Sequence, residues 1–219
     1  MAIQLRHFHA SPSQHDTQPR PSLSATPHRP SAVQAAATSG GARQLIQSGK
    51  VRPIQPKEAG SVIKSEGYVL LDVRPEWERE KARVTGSQHV PLFVKDMDNS
   101  PLTLLKKWVH FGYIGLWTGQ YFTMINPEFL KQVEVKVPDR ETRLLVACGE
   151  GLRSMMAVSK LHEGGYGNLG WLVGGFNRSE DGDFTSVEGT EKLQNATIGG
   201  VSYYFLQLLL LLQAVGKKS

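Results

Sequence analysis

The 219-residue sequence predicts an α/β domain, a central and mostly parallel sheet with helices on both faces. Three observations carry that expectation. Tyr68–Val73, broken only by Asp72, and Arg143–Ala147, apolar after its arginine, are runs without polar alternation, the pattern of strands buried on both faces. Segments with helical spacing alternate with these runs, the order that builds parallel sheets through crossover helices. A single cysteine, Cys148, stands where the second run ends and a glycine-rich turn begins. In open α/β sheets the carboxyl ends of strands are where sites form.

The elements follow in order. Lys50–Ile54 reads as a short first strand. Pro56 opens a helix from its first turn and places Ala59, Val62 and Ile63 on one face. The Tyr68–Val73 strand comes next, then a short strand at Val90-Pro91-Leu92, and then Arg143–Ala147 ending at Cys148. A helix runs from Arg153 to about Glu163 and is closed by Gly164-Gly165. Leu169–Val173 is the last strand, stopped by Gly174-Gly175. Between Leu92 and Asn126 the chain carries an aromatic and glycine-rich insertion, residues 93–126, with Trp108, Phe111, Tyr113, Trp117, Tyr121 and Phe122. It reads as a lid or packing flap over the sheet, with a partner surface as the alternative.

The ends differ in composition. Residues 1–41 are rich in Ser, Ala and Pro and carry three arginines against one acid, Asp16. That is the composition of an organelle transit peptide, with cleavage expected near residue 35 at Val33-Gln34-Ala35-Ala36. The globular domain is placed at 42–182, followed by a linker and hydrophobic helix at 183–219. Leu193–Gly216 has no charged residue and is bounded by Lys192 and Lys217-Lys218. Residues 198–215 are therefore expected to anchor the chain on a membrane, with tyrosines at one edge and lysines at the other, a helix packed on the domain being the alternative.

Composition excludes some functions. One cysteine rules out an internal disulfide framework and a cysteine-based metal cluster. The net charge of +5 comes from scattered residues rather than a basic run, so no nucleic-acid partner is expected. His89, His110 and His162 lack ligand spacing, and neither metal nor cofactor is assigned.

The chemistry centres on Cys148-Gly149-Glu150-Gly151-Leu152-Arg153-Ser154. Two glycines let the chain wrap so that backbone N–H groups converge on the sulfur. The following helix offers its positive end, and Arg153 adds a full charge. Each effect favours a thiolate over a thiol.

This loop resembles the active-site loop of the rhodanese family, C-x-x-G-x-R-S. Leu71-Asp72-Val73-Arg74 is similar to the family's first signature, with Glu78 matching the acid that follows it. Gly86–Pro91 resembles the second signature and Trp171–Phe176 the terminal one. The likeness covers about residues 50–180. It departs at Ala82 and Arg83, which stand where the family carries Gly and His, and in the insertion.

The resemblance implies a three-layer domain with a five-stranded sheet flanked by helices, and sulfane-sulfur transfer as the reaction. Cys148 would take sulfur from a small donor, thiosulfate or a mercaptopyruvate-type thiol, hold it as a persulfide, and pass it to cyanide or a thiol. The amides of Gly149, Glu150, Gly151, Leu152 and Arg153 would hold the anionic sulfur. Arg153 either orients an anionic donor or locks the loop through an acid. Asp72, Arg74 and Ser154 would support the loop and sheet end. Glu150 would repel a dianion, and the Cys-Gly-x-Gly start is similar to the mercaptopyruvate-type loop, which leans away from thiosulfate. Together with residues 1–41, the likeness implies a plant chloroplast protein, in stroma or on a plastid membrane.

A phosphatase or arsenate reductase of the same architecture needs five residues between Cys and Arg to surround a tetrahedral oxyanion; here there are four. A non-catalytic docking or redox-sensing module is the stronger rival, since a reactive cysteine serves both readings.

Overall fold

The computed structural model describes residues 41–216, with side chains to residue 213. The transit-peptide expectation therefore lies outside the described residues, save for residue 41. Strands β1 (Val51–Ile54), β2 (Val69–Asp72), β4 (Gln88–His89), β7 (Leu144–Ala147) and β8 (Leu169–Leu172) form one sheet in the order β1-β8-β7-β2-β4. Every neighbouring pair is parallel.

Period-two alternation explains why these strands read as unbroken apolar runs. Leu71, Val73, Leu144 and Val146 face one core, together with Phe129 and Val133 of α5 (Phe129–Lys136) and Ala157, Val158 and Leu161 of α6 (Leu152–Glu163). Leu70, Leu145, Ala147 and Leu172 face the other, with Ala59 and Val62 of α1 (Pro56–Glu66). Each fully buried Val or Leu among them stabilises the fold by about 1.5–3 kcal/mol relative to exposure.

Most expected boundaries move by one or two residues. The strand expected at Val90-Pro91-Leu92 forms earlier, as β4. Pro91 has no amide hydrogen, so a regular ladder stops before it. Val90 and Leu92 still donate to the carbonyls of Asp72 and Val73, both at 3.1 Å, as an irregular extension.

Residues 183–199, expected within a linker, belong to the domain. Phe184, Leu193 and Ala196 lie in the second core, and β9 (Val187–Gly189) pairs antiparallel with β3 (Ala82–Val84). Arg83, the residue at the family's His position, pairs there with Glu188 at 2.8 Å on the surface.

The insertion is a stem with a helical excursion. Its stem is β5 (Phe93–Lys95) paired antiparallel with β6 (Thr123–Ile125). Between them run α3 (Pro101–His110), a π turn at Phe111–Gly115 and α4 (Leu116–Thr118). The last described element is α7 (Gly200–Gly216). Among the described residues no helix is long and apolar enough to cross a membrane.

Candidate active site

Cys148 directly follows β7, at the carboxyl end of the central strands. The chain turns back at Gly151, whose φ of 92° is a left-handed conformation that side chains rarely adopt, and enters α6. This turn brings two amides onto the sulfur. Gly151 N–H donates to Cys148 Sγ at 3.1 Å and Ser154 N–H at 3.2 Å. Of the amides expected to hold the sulfur, Gly151 is the one seen doing so, and Ser154 in the first helical turn joins it.

The thiol itself donates to Ser154 Oγ at 3.4 Å. Ser154 Oγ in turn donates to the Gly151 carbonyl at 2.9 Å. Trp171 Nε1 on β8 donates to the same carbonyl at 3.0 Å and lies 3.2 Å from Ser154 Oγ. Cys148 and Ser154 are both wholly buried.

Gly149 is held by close approach rather than by its dihedral angles. A Cβ there would lie 2.1 Å from Thr197 Cγ2. The carbonyls of Cys148 and Gly149 accept from the amides of Phe176 and Asn177 at 2.8 and 2.9 Å, which ties the loop to the segment after β8. Glu150 and Leu152 project outward at the lip.

Arg153 is forked onto Glu78, the buried acid of α2 (Glu76–Arg79). Its two Nη atoms donate to the two carboxylate oxygens at 2.7 Å each. Burial opposes the guanidinium charge, but the hydrogen bonds and charge of Glu78, with a further contribution from Cys148, outweigh it and raise the Arg153 pKa. Of the two sequence readings of Arg153, the loop-locking ion pair is the arrangement observed. Gln120 from the insertion donates to Glu78 Oε1 at 3.2 Å and to the Thr197 carbonyl at 3.3 Å.

Asp72 and Arg74 stand apart from the sulfur as a buried brace. Arg74 Nη2 donates to Asp72 Oδ2 at 2.6 Å and to the Ala82 carbonyl at 2.8 Å, and its guanidinium lies 4.4 Å from the centre of the Phe176 ring. The brace joins β2, β3 and the Gly175-Phe176 turn that the loop hangs from.

A cleft of about 710 Å³ opens over Cys148. One wall is the insertion, through His110, Thr118, Gln120 and Tyr121, and Thr197–Gly199 adjoins it as a lip. Among the residues lining it, Arg153 is the one permanently cationic side chain, and Glu78 already neutralises it. Glu150 adds negative charge. The cleft can thus hold a small molecule beside the Cys148 loop but, among the described residues lining it, offers an anion no free cation.

Sequence reasoning left Trp171, Gln120 and Thr197 without a role at the sulfur. Their contacts with the loop, with Glu78 or with each other span 17 to 77 residues, and no local pattern encodes them.

A family profile described as "Rhodanese-like domain" matches residues 55–180. The chain is 68% identical over 177 residues to "Rhodanese-like domain-containing protein 10" of Arabidopsis thaliana, covering 81% of this chain and 83% of that one. It is 39% identical over 159 residues to "Rhodanese-like domain-containing protein 9, chloroplastic", covering 73% and 67%. It is 42% identical over 160 residues to "Rhodanese-like domain-containing protein 11, chloroplastic", covering 73% and 54%. Both are also from Arabidopsis thaliana.

Proposed function

The chain belongs to the rhodanese-like domain family, and on that premise we propose that it is a sulfurtransferase that carries sulfane sulfur on Cys148. The observation that supports this most directly is the buried Sγ receiving the Gly151 and Ser154 amides at the floor of an open cleft.

In the first half-reaction the Cys148 thiolate attacks the donor's transferable sulfur. With a mercaptopyruvate-type donor the C–S bond breaks; the carbon keeps the electron pair and takes a proton, and Cys148 holds a persulfide. With thiosulfate the S–S bond breaks and sulfite leaves with the pair. In the second half-reaction cyanide or an acceptor thiolate attacks the terminal sulfur, and Cys148 departs as thiolate. The two amides offset negative charge on sulfur at each stage.

The neutralised Arg153 and the acidic lip favour a donor of low charge, so a mercaptopyruvate-type thiol is preferred over the thiosulfate dianion. Plastid location is supported by the composition of residues 1–41 and by the chloroplastic relatives.

The test is intact-mass spectrometry of the full chain after incubation with each donor, beside Cys148→Ser. The full chain is needed because Thr197–Gly199 forms one lip of the cleft. The expected result is a gain of one sulfur that requires Cys148, forms faster from 3-mercaptopyruvate, and is discharged by cyanide or a thiol. Folded protein that gains no sulfur from either donor would favour the docking or redox-sensing module.

A further inference from the structure

The insertion helices are inside out. The stripe turned to the protein is small or polar: Thr103 and Gly115 are buried, and Lys107, His110 and Thr118 half-buried. The stripe turned to solvent is apolar, with Trp108 76% and Tyr113 81% exposed and Leu105, Phe111 and Trp117 more than half exposed. An ordinary surface helix buries the opposite face.

Helix α7 meets this excursion at its start. A Cβ on Gly119, just after α4, would lie 2.7 Å from the Gly200 nitrogen, so the two segments touch backbone to backbone. Beyond that junction Tyr204, Phe205 and Leu208–Leu212 are all exposed, so α7 is apolar on every side but for Gln207 and Gln213. Exposed apolar surface on this scale marks a binding surface.

We propose that α3, α4 and α7 together form a monotopic membrane-binding surface for an anionic bilayer, lying in one leaflet rather than crossing it. Three observations select lipid as the occupant. A protein partner or second copy covers one stripe of a helix, whereas α7 presents leucine all round, which suits surrounding hydrocarbon. Residues 99–127 and 192–219 contain no acid but include Lys106, Lys107, Lys192, Lys217 and Lys218, a charge that suits anionic headgroups. Trp108, Trp117, Tyr113 and Tyr204 are the amphipathic rings that settle at a headgroup boundary. Because the same excursion walls the Cys148 cleft, such binding sets the cleft beside the lipid surface. The inference is independent of what Cys148 does.

The experiment is co-sedimentation of the full chain with sucrose-loaded phosphatidylcholine–phosphatidylglycerol vesicles. The wild type should pellet, and less so with phosphatidylcholine alone. Trp108→Glu, on the insertion, and Leu208→Glu/Leu211→Glu, on α7, should each lower partitioning about tenfold or more, since each removes at least one large buried side chain from the lipid. Sulfur uptake in solution should be unchanged, as none of these residues lines the cleft. Brominated acyl chains should quench tryptophan fluorescence, and Trp108→Phe should remove much of that quenching. A wild type that stays in the supernatant overturns the proposal. So does a discrete lipid-free oligomer abolished by the same substitutions, which would assign the surface to a second copy. Dependence on α7 alone would also overturn it.

Discussion

At Gly149 the loop leaves no room for a single methyl group. Gly149→Ala would drive Cβ into Thr197 Cγ2, and overpacking of this kind costs about 1–3 kcal/mol. Sulfur uptake should fall with it, as the loop is pushed off the Gly151 and Ser154 alignment. Thr197→Ser removes that methyl and keeps the hydroxyl that donates to Asn177 Oδ1 at 2.9 Å. The double variant should therefore recover both thermal stability and uptake; failure to recover would show that Gly149 serves by something other than clearance. His89 gives a second test at this scale. Its Nε2 sits 2.8 Å from the Arg74 carbonyl, and burial lowers its pKa from the ordinary 6.5. The unfolded chain then binds the proton more readily than the folded one, so this contribution is complete above pH 6.5 and is lost as pH falls toward the depressed folded value. Urea midpoints should drop between about pH 7 and pH 5, and His89→Gln should flatten that slope.

Asp98 organises the start of α3. Its carboxylate accepts from the Ser100 amide at 2.9 Å and from the Ser100 and Thr103 hydroxyls at 3.0 and 2.6 Å. Asp98→Ala should cost about 0.5–1.5 kcal/mol, the net worth of a hydrogen bond lost from the turn before the helix. Hydrogen exchange should quicken over 101–110 while the central strands keep their protection. The central strands were also the part most legible in the sequence. Runs such as Leu144–Ala147 are uniformly apolar because both faces are covered, and that demand is written locally. The glycine spacing after Cys148 and its position at a strand end were legible for the same reason. β3 and β9 were not: three residues each, joined across 105 positions through Arg83 and Glu188, carry no period to read. The partner of Arg153 was equally hidden, because Glu78 reaches it only after β2 and β7 align. The aromatic insertion reads as a flap from composition alone. Which of its faces is buried depends on the stem β5–β6 and on α7, both distant from the helical pattern itself.

Across the whole molecule, the sheet's order decides more than where Cys148 stands. Its two outer members are β1 and β4. In β1 the Ile54 carbonyl accepts from Val173, on the β8 side, so the alternate residue Pro53 turns its nitrogen outward. A proline there costs this sheet nothing and denies a donor to any strand arriving from outside. On the far side β4 is two residues long and runs into Pro91. Neither margin offers a continuous row of free amides and carbonyls. Among the described residues, strand addition, the usual route by which sheet proteins aggregate or swap partners, is disfavoured at both margins of this five-stranded sheet.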